Sequence, residues 1–523
     1  MKSINKIIIL LMFAIVFIAG CQKSFLDRPS LSQISSDNFY QSTSDLRLAT
    51  AALYGGPPWF NWENYGFLLL GDVMSGNMIL NWWGDAIQLN TFSITGQNSI
   101  MSSAWRGFYN VIAQCNVTIK GIQDNAPASI PESDKNAALA EARFIRGVAY
   151  YHLVMLWGAV PIIEDNTKLI NSPLLKRNVV QDVYKFITSD LTFAAQNLPA
   201  SDEPGRVTKW SAQGMLGKVY LTMAGLDASG GSRNQAYLDS AKFYAGNVCK
   251  NSGLSLLPSY YNLFRAQYND NQESLFALQW APGVGWDQGN HLLVFSPSSD
   301  VTPNKEQPWF YAPASYDLYQ LYSPKDTVRR KASFMLPGDY YPELNAAGGG
   351  YTAGSPVLKK HVIGNQVDNS SPTMTMLSSI EHNAILRLAD VYLVYAEAIL
   401  GNNASTTDPD ALLYFNKVRK RAGIDPVTSL NADTLFKERR VELVFEGHFW
   451  FDLVRLSYYN PQKAVDFLNN EQRVTFSYSG GVATPDDPIG TITPATASTF
   501  TLQLPSAELT ADPLLAEPPV PYY

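Results

Sequence analysis

The chain has 523 residues, and 39 Lys and Arg against 46 Asp and Glu give it a formal charge of −7. That length supports a large core, while an acidic balance with no basic patch argues against nucleic acid and against electrostatic attachment to anionic lipid. No CxxC pair or Cys/His spacing suggests zinc, and neither a metal nor a cofactor is expected.

In chain order, Lys2 and Lys6 precede a short apolar run at 7–18, followed by IAGC at 18–21. The run is too short to span a bilayer, for which about 20 apolar residues are needed. It reads as a secretory leader over 1–20, and a cysteine at the cleavage point resembles the lipobox of bacterial lipoproteins. Cys21 is therefore expected to carry lipid and hold the chain at a membrane. An ordinary leader with an incidental Cys21 is the alternative. The polar stretch 21–36 reads as a tether. Helices are expected at 44–54, 103–122, 134–157, 180–198, 209–226, 235–251, 384–400 and 411–421. In the 134–157 segment, Phe144, Val148, Tyr151 and Met155 form one apolar stripe, with Ile145, Ala149, His152 and Leu156 beside it. Two adjacent stripes imply a helix packed on more than one neighbour. Small residues at close crossings suggest stacked helix pairs of the tetratricopeptide kind. Cys115 and Cys249 fall in helical patterns, where a free Cys is a small buried hydrophobe; a disulfide between them stays open in an oxidising envelope.

Two stretches break the helical pattern, 55–100 and 255–380. Long segments of weak periodicity are commonly functional or disordered, and the aromatic content here argues against disorder. From 470 onward the chain reads as extended coil on the body. Of the eleven tryptophans, Trp105, Trp157, Trp210 and Trp450 lie in amphipathic helices and are expected in the core. Trp59, Trp62, Trp82, Trp83, Trp280, Trp286 and Trp309 lie in loop-like stretches with polar neighbours. A sugar presents a C–H face that stacks on an aromatic ring, and hydroxyls that need polar partners. NMILNWWGD at 77–85 offers both kinds of group, as do WDQ at 286–288 and QPWFY at 307–311. The candidate ligand-binding set is Asn81, Trp82, Trp83, Asp85, Trp286, Asp287, Trp309 and Tyr311. Neither the DPD at 408–410 nor the triple glycine at 348–350 has the spacing of a calcium loop or P-loop, and both read as exposed turns.

The segment ERRVELVFEGHFWFDLVR at 438–455 resembles the signature of the SusD/RagB family of outer-membrane nutrient-binding lipoproteins. FLDRP at 25–29, AEARFIR at 140–146 with LWGAVP at 156–161, RLADVYLVYAEA at 387–398 and LPSAELTADPL at 504–514 resemble other family segments in the family's order. Phe449 stands where the family usually has Arg, and the chain ends PPVPYY. The resemblance implies a mostly α fold, a tetratricopeptide-like superhelix with a large loop-rich, aromatic-rich insertion. It would form one domain over 37–523, with scaffold mainly at 103–251 and 383–460. It implies a non-catalytic lipoprotein at the outer membrane, surface-facing, that captures a glycan and delivers it to a SusC-like TonB-dependent transporter, and it adds weight to Trp82 and Trp83. A glycan-active hydrolase and a repeat scaffold or lid binding protein or peptide are the alternatives. Read residue by residue, Glu442 and Glu446 lie four apart near Arg439, which suggests an ion network pinning helices in preference to a catalytic carboxylate pair. His152 and His448 read as core histidines, and Asp72 of GDVMSG as a structural loop residue.

Overall fold

The computed structural model describes residues 39–523 except 227, 229–230, 284–285, 346–347 and 364–373. The expected leader, Cys21, the tether to residue 36 and FLDRP lie outside the described residues. The first helix, α1 (Thr43–Ala51), starts at a reciprocal cap between Ser42 and Asp45. After α2 (Pro57–Glu63) and α3 (Gly84–Thr91) come the long scaffold helices. These are α4 (Ser99–Asn125), α5 (Glu132–Trp157), α6 (Val180–Asn197), α7 (Lys209–Met223) and α8 (Gln235–Asn251). Polar side chains cap several of them, with Asn98 receiving the Ile100 and Met101 amides and Thr208 that of Trp210.

Each of α4 to α8 packs on the next in sequence, and α8 packs in turn on α11 (Leu388–Leu400), which packs on α12 (Pro409–Arg421). This is a mostly α, tetratricopeptide-like stack of helices. The two apolar stripes of α5 have their explanation here, since α4 and α6 flank it. Where helices cross, Gly217 of α7 faces Ala245 of α8, and Gly246 faces Tyr395 of α11. One continuous apolar core runs from Leu53 to Leu502. A small separate core of Val301, Met335, Tyr341, Leu344, Ala353, Val357 and Val362 organises the insertion, which also carries the short helices α9 (Tyr316–Leu321) and α10 (Thr327–Ser333).

Several expectations need correction. The segment 384–400 is not helical throughout. Asn383–Arg387 is strand β2, paired antiparallel with β1 (Ser274–Leu278), and the helix begins at Leu388. The partner strand lies far upstream, so local periodicity could not reveal the pairing. The tail after 470 is not coil alone, because it holds the hairpin β3 (Phe476–Ser479) to β4 (Val482–Pro485) and a short helix over Ser506–Ala511. Trp59, Trp62 and Trp280 are buried in the core, where the Trp59 indole donates to the Leu53 carbonyl and that of Trp280 to Asn383. Cys115 and Cys249 are free thiols. Asp408 caps α12 through the amides of Asp410 and Ala411, and Asp410 pairs with Lys250.

The family-like signature forms the helix α13 (Ala432–Glu442), a turn, and the helix α14 (Phe449–Tyr459). Glu446 lies in the turn, not on a helical face shared with Glu442. Arg387 at the end of β2 unites them, donating to Glu442 at 2.7 Å, to both oxygens of Glu446 at 2.7 and 2.8 Å, and to Glu273 at 2.9 Å. Lys360 completes the shell of Glu446 at 2.8 Å, and Arg421 bonds Glu273 and Glu442. Arg439 turns elsewhere, to Asp390 at 2.7 Å and Asp452 at 2.9 Å. Burial alone would raise the Glu446 carboxyl, but Arg387 and Lys360 outweigh it and hold it well below the usual carboxylate range. Burial pushes the His152 imidazole down to about 4 and keeps His448 neutral beside Lys218. At position 449, the phenylalanine ring packs against Phe436 and Phe467, with the Arg440 guanidinium 4.6 Å above it.

Candidate functional site

Three loop segments converge on one face, each fixed by backbone contacts to its neighbour. The 77–83 segment is pinned where Ile79 N donates to the Pro313 carbonyl at 3.1 Å. Trp309 N and Phe310 N both donate to the Val294 carbonyl, at 3.1 and 2.9 Å. The start of α2 is drawn to the 279–288 segment by a bridge between Gly55 and Gln279. No side chain fits there, since a Cβ on Gly55 would stand 1.7 Å from the Gln279 carbonyl oxygen. That approach carries Phe60 to the edge of Trp286, with ring centroids 6.3 Å apart.

Asp72, expected in a loop, lies instead in the π-helical turn Leu69–Val73 that follows α2. Its buried carboxylate accepts from the Asn77 side chain at 2.8 Å and from the amides of Phe445 and Gly447 at 2.9 Å each. Burial pushes its ionisation up to about 6 against those three hydrogen bonds. The expected structural role of Asp72 thus has a physical form, because it ties the π-helical turn and Asn77 to the signature turn. Glu63, fully buried at the end of α2, is pushed well above the carboxylate range by burial and stands neutral.

Of the candidate residues, Trp82, Trp83, Trp286 and Trp309 form one aromatic surface. Phe310 is its centre. Trp82 stacks on Phe310 at 4.5 Å with planes 27° apart, and Trp83 lies near-parallel to Phe310 at 6.0 Å. Trp286 and Trp309 form a second near-parallel pair at 6.2 Å and 29°. The two sets meet at 71° between the consecutive rings of Trp309 and Phe310. Trp82, Trp309 and Trp286 are 43%, 45% and 52% exposed, whereas Trp83 and Phe310 are half-buried. Single exposed aromatics are ordinary, but a contiguous rimmed patch marks an interaction surface.

The other candidates fall around this surface or away from it. Asn81 is exposed beside Trp82, and the half-buried Asp287 follows Trp286 and accepts from the Gln288 side chain at 3.3 Å. Tyr311 is exposed but has no ring contact with the tryptophans among the described residues. Asp85 is turned toward α4, where its carboxylate accepts from the Ser99 amide at 3.0 Å and from the Ser99 hydroxyl. Sequence reasoning missed Phe60, Tyr65 and His291, which support the exposed rings from below. Tyr65 meets Trp83 edge-on at 5.2 Å, and His291 meets Trp286 edge-on at 4.7 Å. Phe60 and Tyr65 meet rings from other segments, which no local pattern marks, whereas His291 lies only five residues after Trp286.

Comparison with known proteins places this geometry in context. A family model described as the SusD family matches residues 258–519, and a second, described as starch-binding associating with outer membrane, matches residues 25–221. A SusD-like protein of Bacteroides ovatus is 37% identical, over 100% of this chain and 98% of the relative. SusD-like protein P2 of Formosa agariphila is 26% identical, over 87% of this chain and 91% of the relative. A crystal structure determined with xylogluco-oligosaccharide is 36% identical, with a TM-score of 0.85 over 91% of this chain and 99% of that one. A SusD superfamily protein from Parabacteroides distasonis shares the fold at 21% identity, with a TM-score of 0.71 over 92% of this chain and 99% of the other.

Proposed function

The chain belongs to the SusD family, and on that premise we propose that it is a non-catalytic binding protein that captures an extended, branched β-glucan of the xyloglucan kind. The observation that carries this reading is the exposed aromatic surface of Trp82, Trp309 and Trp286 around Phe310. The equatorial hydroxyls of a β-glucan leave flat C–H faces on its sugars, which suit successive indole rings. The steep angle between the two sets of rings suits a chain that twists from one sugar to the next. Asn81 and Asp287 stand at the rim as partners for hydroxyls. The similar structure at 36% identity, determined with xylogluco-oligosaccharide, supports that ligand class.

Stacking of this kind contributes up to about 1.5 kcal/mol per ring, and about 1.4 kcal/mol is a tenfold change in affinity. Calorimetric titration of the chain from Gln22 onward with xylogluco-oligosaccharide tests the reading. Wild type is expected to bind, each of Trp82→Ala, Trp286→Ala and Trp309→Ala to lose roughly tenfold, and the triple variant to bind too weakly to measure. Absence of wild-type binding to any glycan, or a triple variant of unchanged affinity, overturns it.

Family membership also supports attachment at the outer membrane through lipidated Cys21, facing the cell exterior, with the glycan passed to a SusC-like TonB-dependent transporter. The tether at 21–36 would keep the body captive while it moves over that partner. Cys21→Ala is expected to leave the membrane fraction with its affinity in solution unchanged. Retention in the membrane fraction would remove the anchor.

A further inference from the structure

Beneath the exposed edge of the aromatic surface lies a buried histidine that the reading above does not use. The His291 ring meets Trp286 edge-on at 4.7 Å and 84°, and Phe60 edge-on at 4.9 Å and 80°. Its Nε2 lies 2.8 Å from the Trp286 carbonyl oxygen. A carbonyl only accepts, so Nε2 carries the hydrogen and donates. Nδ1 lies 3.0 Å from the Asn64 side-chain amide oxygen, just past the end of α2; with the hydrogen on Nε2, Nδ1 is an acceptor, so it bonds Asn64 through the amide nitrogen, with the amide turned over. Burial pushes this imidazole down to about 4, which keeps it neutral at ordinary pH.

The histidine is itself held firmly. Asn290 exchanges two backbone hydrogen bonds with Ser379, both 3.0 Å, and its side chain receives the Leu292 amide at 2.7 Å and donates to the Glu381 carbonyl at 2.9 Å. Gly289 presses so closely on Ser378 that a Cβ there would stand 2.2 Å from the Ser378 Cα. Trp286, by contrast, is 52% exposed. Its ring is bounded by Trp309, Phe60 and His291, and His291 alone of these also bonds its backbone. An exposed indole free to rotate must be ordered when ligand arrives, which weakens binding; one already fixed need not be.

We propose that His291 is a positioning residue of the glycan-binding surface, fixing the Trp286 ring near-parallel to Trp309 so that both faces meet the ligand without rearrangement. This rests on the glycan-binding reading and adds to it the residue that sets its geometry. His291 acts through Trp286 and does not touch the sugar.

A double-mutant cycle tests it. Affinity for xylogluco-oligosaccharide is measured by calorimetry for wild type, His291→Leu, Trp286→Ala and the double variant, with thermal unfolding and near-ultraviolet circular dichroism of each. Leucine fills the space but removes the hydrogen bond to the Trp286 carbonyl and the polar contact with Asn64. His291→Leu is expected to weaken binding about fivefold, and the double variant to bind no worse than Trp286→Ala. The dichroism arising from the Trp286–Trp309 pair is expected to fall in His291→Leu, and His291→Gln, which restores a donor toward the Trp286 carbonyl, is expected to recover most of both signals. Asn64→Ala is the second route should His291→Leu fail to fold, with a loss of about twofold that also vanishes in the Trp286→Ala background. Losses that multiply in the double variant, or unchanged affinity and dichroism in His291→Leu, overturn the proposal. If wild type binds no glycan, the functional reading fails, while the dichroism of His291→Leu still decides whether His291 positions Trp286.

Discussion

The aromatic surface and the ion network around Arg387 handle demanding chemical groups in opposite ways. The surface leaves large apolar rings in water. Trp82, Trp286 and Trp309 each keep close to half of their area exposed, an arrangement that favours binding over folding. The network takes charge out of water. Arg387, Glu273, Glu442 and Glu446 are all buried, and the remaining valences are met by Lys360, Arg421 and Arg329. Buried ion pairs are not stabilising by default, because desolvation competes with attraction. This network works because few lone pairs go unanswered, and it joins β1, β2, α10, α12 and the signature turn at one point. The conspicuous sequence signature therefore belongs to the scaffold, and the ligand face belongs to loops with no comparable motif. Asp72 connects the two, reaching from the π-helical turn after α2 to the amides of Phe445 and Gly447.

The sharpest way to separate the two regions is to break one and measure the other. Arg387→Ala leaves three buried carboxylates short of their main partner, and a loss of about 3–5 kcal/mol or more in chemical denaturation is expected. Glycan affinity of the fraction that remains folded should stay within twofold of wild type. A stable Arg387→Ala variant would remove the network from its structural role. The neighbouring cluster adds a pH signature. Burial raises Glu397, but Arg455 and Arg233 outweigh it and hold it at about 2, below its usual 4.5. The unfolded chain thus binds the proton more readily in between, so the stabilisation is complete above about pH 5 and is lost as pH falls toward 2. A shift of that size corresponds to about 3 kcal/mol. The stability difference between wild type and Glu397→Gln is expected to shrink over that window. Asp72 has the opposite sign, since its raised value weakens the fold as pH climbs from about 4 to 6. A difference that stays flat on acidification would show that Glu397 gains nothing from its arginines.

What the sequence made legible follows from which interactions are local. The α5 helix could be read from Phe144, Val148, Tyr151 and Met155 because helical spacing is carried by the residues themselves. The strand Asn383–Arg387 could not, because its identity depends on Ser274–Leu278. Glu446 looked like a helical neighbour of Glu442 by spacing, yet the helix ends at Glu442 and Phe445 takes a positive φ before Glu446 is reached. Tryptophans divided in the same way. Polar neighbours in sequence suggested exposure for Trp59, Trp62 and Trp280, but Trp59 and Trp62 lie on the buried face of α2 and Trp280 follows β1 into the core, where Leu53 and Asn383 receive the indoles of Trp59 and Trp280. The exposed rings at 82, 286 and 309 carry the same local signals. Only their three-dimensional neighbours, Phe310 and His291 among them, distinguish a surface from a core.

Asp85 lies on the boundary between the regions and gives the finest test of where the surface stops. It follows Trp82 and Trp83 closely in sequence, and an acidic side chain there could bind sugar hydroxyls. Its carboxylate instead meets the Ser99 amide and hydroxyl at the start of α4, where a negative charge also suits the helix dipole. Asp85→Ala should therefore act as the loss of a helix cap, lowering stability by about 1 kcal/mol and leaving glycan affinity within twofold of wild type. Denaturant unfolding and calorimetry on the same preparation separate the two effects. A tenfold loss of affinity without loss of stability would move Asp85 from the scaffold to the ligand face, and would mean that Ser99 releases the carboxylate when glycan binds.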